Sequence, residues 1–180
     1  MHKFLLHIFL TLFLINGTVV LHAAEKPSEM QLKAAYLYNF AKFIKWPDSA
    51  FSDSQTSFVI GVLGDKNFTG YLLPLTTKTV NERAIVIKTY TSIDEASDAH
   101  ILYLGPSISG LNTQLEKLKT RPIITISENK KFAATNGMIQ FVPVRGRLRF
   151  IINLANADAA GVRIDSQLLS LAIDVLGVKK

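Results

Sequence analysis

The feature that most constrains the fold is a set of short segments that are almost continuously apolar and are bounded by turn-forming residues. They cover residues 58–63, 84–87, 101–104 and 122–126. A strand that is apolar on both faces needs cover on both sides of its sheet, which is typical of parallel strands that alternate with helices. These segments therefore predict a mainly parallel sheet between two layers of helices.

Helical signals occupy the stretches between these strands and both ends of the domain. Residues 138–142 and 148–152 read as two more strands, and the turn at 143–146 predicts that they form an antiparallel hairpin. A cap at Asp165 predicts a final amphipathic helix that extends to residue 176. The predicted fold is α/β, a single-domain three-layer sandwich. The other predicted helices cover residues 30–45, 67–75, 107–119, 128–134 and 155–161.

The first residues have the anatomy of an export signal. Lys3 precedes the apolar run 4–15, and the small residues Ala23 and Ala24 follow as a cleavage region. We expect residues 1–24 to be a cleaved signal peptide and residues 25–180 to be an exported, periplasmic domain. The alternative is a retained membrane anchor over residues 4–21, which is near the lower length limit for crossing a bilayer.

Composition excludes several functional classes. The chain has no Cys, which excludes disulfides, thiolate metal sites and a cysteine nucleophile. Lys and Arg number 20 against 14 Asp and Glu, a formal charge of +6, and 48% of the residues are hydrophobic. A chain this apolar is not disordered. An exported chain without a basic and aromatic cluster is not expected to bind nucleic acid.

Catalytic side chains are scarce. Three of the four histidines lie in the predicted signal peptide, and His100 is the only one in the mature chain. A hydrolase that combines a serine nucleophile with His100 stays open as an alternative, but a lone histidine before an apolar strand is more often structural. No two-histidine zinc spacing occurs. We therefore predict no catalytic, metal-binding or cofactor-binding residues.

Two turns that follow apolar strands are candidates for a small-ligand pocket. They contain Gly64 and Asp65 in one case, and Gly105 and Ser107 in the other. Ligands of open α/β sheets bind at such turns. Neither turn has a dinucleotide-binding or Walker-type spacing, since residues 105–110 are not followed by Lys and Ser or Thr. A periplasmic small-ligand sensor is therefore the second functional hypothesis.

Two surfaces could bind a partner. Aromatic residues are concentrated between residues 36 and 51, more densely than a core needs. Arg145, Arg147 and Arg149 alternate along a predicted strand and therefore share one of its faces. The arginines either form a solvated strand edge or contact an acidic partner.

Several motifs together resemble the YfiR family. They are the segment KAAYLYNFAKFIKWP at 33–47, GVLG at 61–64, the run 132–140, RFIINL at 149–154 and AAGVRIDSQLLSLA at 159–172. The resemblance spans essentially the whole predicted mature chain. Some relatives carry cysteine pairs that form disulfides, and this chain lacks them.

The resemblance implies a non-catalytic periplasmic regulator. Its expected partners are an inner-membrane diguanylate cyclase of the YfiN type, which it represses, and an OmpA-like lipoprotein of the YfiB type, which sequesters it. Lower cyclic di-GMP, less biofilm and a homodimer are expected as well. We expect such a regulator to bind through the aromatic helix and through the arginine strand with the final helix. The candidate interface residues are Tyr38, Phe43, Trp46, Arg147, Arg149, Asp165 and Gln167.

Overall fold

The computed structural model describes residues 26–178, so the predicted signal peptide lies outside the described residues. The described part contains five α-helices and ten strands. The helices are α1 (Glu29–Phe43), α2 (Lys66–Leu72), α3 (Leu111–Glu116), α4 (Leu154–Ala159) and α5 (Ser166–Leu171). The strands are β1 (Ile44–Lys45), β2 (Phe58–Leu63), β3 (Thr79–Val80), β4 (Arg83–Tyr90), β5 (Ile101–Leu104), β6 (Ile124–Ser127), β7 (Ile139–Val144), β8 (Arg147–Asn153), β9 (Arg163–Ile164) and β10 (Asp174–Leu176).

Eight strands form the main sheet in the order β10-β8-β7-β6-β5-β2-β4-β3. Strands β4, β2, β5, β6 and β7 run parallel, and β7 and β8 form an antiparallel hairpin. The short strands β1 and β9 pair separately. The predicted α/β fold, with a mainly parallel sheet and a closing antiparallel hairpin, is confirmed.

Buried side chains cover both faces of the central sheet. On one face α1, α2, α4 and α5 pack over a large cluster that includes Phe40, Tyr103 and Phe150. On the other face α3 and the segments around Ile93 and Phe132 cover a smaller cluster. Side chains alternate along a strand, so β5 contributes to both clusters. The central sheet is therefore the middle of three layers.

Several predicted helices are shorter than expected. Helix α1 ends at Phe43, because Ile44 and Lys45 pair with β9. Helix α3 begins only at Leu111, after Gly110 takes a left-handed conformation with φ 63°. Residues 128–134 form turns rather than the predicted brief helix. In each case the spacing of apolar residues was compatible with a longer helix, but the contacts of the folded chain favour another conformation at these residues.

The C-terminal helix also differs from the prediction. Asp165 caps α5 by accepting a hydrogen bond from the Gln167 amide, as predicted, but the helix ends at Leu171. Residues Asp174–Leu176 then form β10, which pairs in parallel with β8 at the sheet edge. The amide of Ile173 already donates to the carbonyl of Phe150. Hydrogen bonds to the free edge of β8 therefore replace those of another helical turn.

Candidate functional site

The β7–β8 hairpin presents one face that the described helices leave open. The register places Val142 opposite Arg149 and Val144 opposite Arg147, so these four side chains share that face. Leu148 and Phe150 point the other way, into the cluster beneath α1. The four side chains of the open face are exposed or half-buried. Among residues 26–178, the sheet therefore has two layers here instead of three.

The hairpin turn fixes the position of the arginines. Arg145 and Gly146 form the two-residue loop, and both have positive φ, 49° and 72°. The prediction that Arg145 shares a strand face with Arg147 and Arg149 is therefore wrong, because Arg145 belongs to the turn. Two-residue hairpin loops favour this left-handed geometry because its twist matches that of the strands. The turn sets the register, and the register in turn aligns Arg147 and Arg149 along the open face.

A groove of about 550 Å³ runs across this face. We call it the arginine groove. Val144 and Ile173 supply its apolar surface, and three guanidinium groups surround them. The groove is lined by Val144, Arg145, Arg147, Arg149 and Ile173.

The charge of the groove is not neutralised within the described residues. None of its three arginines forms an ion pair there, and only Arg149 makes a long contact, 3.5 Å from Nη2 to the carbonyl of Leu171. Arginine stays protonated at all physiological pH values and binds carboxylates with two parallel hydrogen bonds. The groove can therefore recognise carboxylates on another molecule.

Apolar side chains of the C-terminal segment extend this surface. Leu171 and Val178 are each 58% exposed and Ile173 is 44% exposed. They flank β10, which forms the edge of the sheet. Arginine combined with exposed aliphatic side chains is typical of a protein–protein interface rather than of a catalytic pocket.

The predicted aromatic interface residues lie elsewhere. Tyr38 is half-buried, with the Nζ atoms of Lys42 and Lys78 at 5.6 and 5.4 Å from its ring centroid. Phe43 packs partly against the large cluster. The Trp46 ring lies 4.9 Å from that of Phe58.

The interface candidates thus fall on two separate surfaces. Asp165 lies beside the end of α1, because its amide donates to the carbonyl of Phe43, and Gln167 is exposed in the same region. Arg147 and Arg149 lie on the sheet face opposite α1. The structure brings Phe43 close to Asp165 but separates both from the arginine groove.

His100 has a structural environment. Its ring stacks between Phe51 and Phe58, with centroids 4.5 and 5.0 Å away. Nδ1 accepts a hydrogen bond from the Val59 amide, and Nε2 donates to the Ala50 carbonyl in the matching neutral tautomer. Burial lowers the pKa of His100. Both ring nitrogens serve the backbone, so the geometry does not support the hydrolase alternative.

The burial of one lysine was not predicted from the sequence. The Lys33 side chain is 2% exposed, and its Nζ lies 2.8 Å from carboxylate oxygens of both Glu29 and Glu128. Glu128 also accepts a hydrogen bond from the Tyr103 hydroxyl at 2.9 Å. Burial alone lowers the pKa of Lys33, but hydrogen bonds to Glu128 and Glu29 outweigh it and leave the pKa raised. Residues four apart share one face of a helix, so the spacing between Lys33 and buried Leu37 could have indicated that Lys33 is buried too.

The four predicted ligand-pocket residues come together at one edge of the sheet. Gly64 and Asp65 follow β2, and Gly105 and Ser107 follow the adjacent β5. The Gly105 amide donates to the Leu63 carbonyl, which continues the ladder between the two strands. Gly64 and Ser107 line a cavity there, whereas the Asp65 carboxylate caps α2 by accepting from the Phe68 amide.

Comparison with known proteins gives one family. A family model described as YfiR/HmsC-like matches residues 30–173. A comparison with curated proteins gives no match. In residues 26–178 no helix has the length and apolar character needed to cross a membrane, and no group of three or more potential ligands is arranged for a metal ion.

Proposed function

The chain belongs to the YfiR/HmsC-like family, and on that premise we propose that it is a non-catalytic periplasmic regulator. It binds the periplasmic sensor region of a membrane-bound diguanylate cyclase of the YfiN type and represses that enzyme. Lower cyclic di-GMP and less biofilm follow. An OmpA-like lipoprotein of the YfiB type competes for the regulator and releases the cyclase.

Delivery to the periplasm depends on the first residues. In this proposal residues 1–24 are the cleaved signal peptide, and residues 25–180 are the mature domain. The run of apolar residues after Lys3 supports this, because such a run is what the export machinery recognises.

The arginine groove is the observation that carries the proposal. A regulator that catalyses nothing acts by binding one state of its target more tightly than another, so it needs a surface with distinct chemistry. The groove offers three guanidinium groups that form no ion pair with residues 26–178, beside Val144 and Ile173. A partner surface with carboxylates around an apolar centre would complement both the positive charge and the apolar surface of the groove.

The groove favours a different protein over a second copy of the chain. In a symmetric dimer the same patch meets itself, so the arginines of one copy would face those of the other. Like charges brought together in this way weaken association. We therefore place the expected homodimer contact on another surface and leave the groove for the acidic partner.

A genetic complementation experiment tests the proposal. Deleting the gene should raise cellular cyclic di-GMP, and the wild-type gene should restore it. The double variant Arg147→Glu/Arg149→Glu should restore less than about a tenth of the repression, because it turns the groove acidic. Lys130→Glu, an exposed lysine outside the groove, is the matched control and should restore repression fully.

Two measurements complete the test. Immunoblots of the periplasmic fraction and thermal unfolding should show that the double variant accumulates and folds like the wild type. An unchanged cyclic di-GMP level in the deletion strain, with the cyclase intact, would remove the proposed function. Full repression by the double variant would instead retain the function and exclude the groove as its binding surface.

A further inference from the structure

The connections of the sheet reverse direction next to β2. The crossover from β2 to β4 carries α2 over the face of the large cluster, whereas the connections after β4 and β5 run over the opposite face. The connections after β2 and β5 therefore leave the carboxyl edge of the sheet toward opposite faces. In doubly wound folds, ligands bind in the crevice that opens at this point.

A crevice of about 500 Å³ is present at this reversal. The ends of β2 and β4 contribute Leu63 and Tyr90, and Ile108 faces them from the loop after β5. Cavities of this volume accommodate small metabolites. The apolar side chains therefore supply one wall of a pocket of ligand size.

Two glycines hold the base of the crevice together. A Cβ on Gly64, whose φ is 78°, would lie 2.6 Å from Cγ1 of Ile108. A Cβ on Gly105 would lie 2.5 Å from the Gly64 carbonyl oxygen. Gln114 Nε2 also donates to the Ser109 carbonyl, which ties the loop to α3. The crevice is therefore formed by packed backbone, without a ligand to organise it.

The polar side of the crevice carries one cation. Lys66 is exposed there and makes no ion pair with any residue from 26 to 178. The two neighbouring carboxylates keep their charge but are directed at other donors: Asp65 caps α2, and Glu95 accepts hydrogen bonds from the amide and hydroxyl of Thr91. The Ser107 and Ser109 side chains add hydroxyl donors to the lining.

We infer that this crevice binds a small organic anion, a carboxylate with a short apolar body. The carboxylate pairs with Lys66 and the serine hydroxyls, and the apolar body lies against Leu63, Tyr90 and Ile108. This inference goes beyond the proposed regulatory function, because the crevice and the arginine groove share no residue. Either can fail without the other.

Matched neutral and anionic probes test the site in the purified protein. Hexanoate and phenylacetate should bind saturably in calorimetry, and hexanamide and phenylacetamide should bind about tenfold more weakly, because they lack the charge. Lys66→Gln should remove that tenfold preference. Lys130→Gln, outside the crevice, should preserve it. Amide shifts in NMR spectra should map to Gly64, Lys66 and Ser109.

A second variant guards against an ambiguous result. Ser109→Trp fills the crevice from an exposed loop position and should abolish probe binding while the protein stays folded by circular dichroism. The inference is overturned if none of the four probes binds saturably, if Lys66→Gln keeps the carboxylate preference, or if the shifts map to the arginine groove.

Discussion

At the scale of single residues, the buried ring of His100 makes the packing of the loop before β2 sensitive to acid. The loop residues Ala50 and Phe51 contact its ring, which is neutral and buried. Burial is the main cause of its lowered pKa, and the charge of Arg83 lowers it further, while Asp98 and the Ala50 carbonyl act in the opposite direction. Protonation at Nδ1 would also remove the acceptor for the Val59 amide.

The free energy of unfolding should therefore decrease as the pH falls below the unfolded-state value of 6.5. The folded protein binds this proton less well than the unfolded chain, so the stabilisation is complete above 6.5 and is lost on acidification. Urea unfolding between pH 7.5 and 5 should show the decrease, and His100→Gln should flatten it. An NMR titration midpoint for His100 at or above the ordinary value would contradict this.

The second residue-scale prediction concerns Lys33. Replacing it with Met leaves the Glu128 carboxylate without its cation, and a broken buried ion pair costs about 3 kcal/mol. The partly exposed partners place the cost at the lower end of the known range. Urea unfolding at pH 7 measures it, with Lys42→Met on the exposed side of α1 as the matched control.

If Lys33→Met lowers the free energy of unfolding no more than Lys42→Met does, the ion pair between Lys33 and Glu128 contributes nothing to stability. The sign of the pH dependence is also defined. The pKa of Lys33 is raised in the folded state, so its contribution is complete below 10.5 and is lost only as the pH rises through the folded value. Stability near neutral pH should not depend on its titration.

At the scale of elements, the sequence predicted strands better than helix ends. The bounds of β2 and β5 are those predicted, because a run of four to six apolar residues bounded by turn residues has the length of a buried strand and is too short for a buried helix. Helical periodicity over residues 165–176 was ambiguous. Residues 174–176 instead form a strand that hydrogen-bonds to the free edge of β8. Each of them pairs with a residue 23 positions earlier in the chain. Local pattern cannot reveal such a distant partner.

The candidate site was likewise predictable from the sequence only in part. Alternation predicted that Arg145, Arg147 and Arg149 share a face. The register confirms this for Arg147 and Arg149, whereas Arg145 lies in the hairpin turn. The sequence did not indicate that this face is the one opposite α1, or that Ile173 completes a groove beside it. Those facts depend on which face each helix covers and on where the C-terminal segment returns.

At the scale of the whole molecule, the export proposal makes a direct prediction. Protein recovered from the periplasm should begin at Glu25 by N-terminal sequencing, because the peptidase removes the apolar leader. Leu10→Arg, which interrupts that leader, should leave the chain uncleaved in the cytosol, whereas the neighbouring polar change Thr11→Ser should be processed normally. Recovery of envelope-bound protein that still begins at Met1 would favour the retained anchor.

The sequence by itself determined the α/β class, the mainly parallel sheet, the hairpin and the family motifs, because each depends on local periodicity and residue type. Only the tertiary structure decided that the arginines lie on an uncovered face, that Lys33 is buried between two glutamates, and that the turns after β2 and β5 meet at a crevice. Each of these arrangements depends on at least one contact between distant parts of the chain, such as that between Lys33 and Glu128, 95 residues apart. Their energies come from packing and hydrogen bonds that no local segment contains.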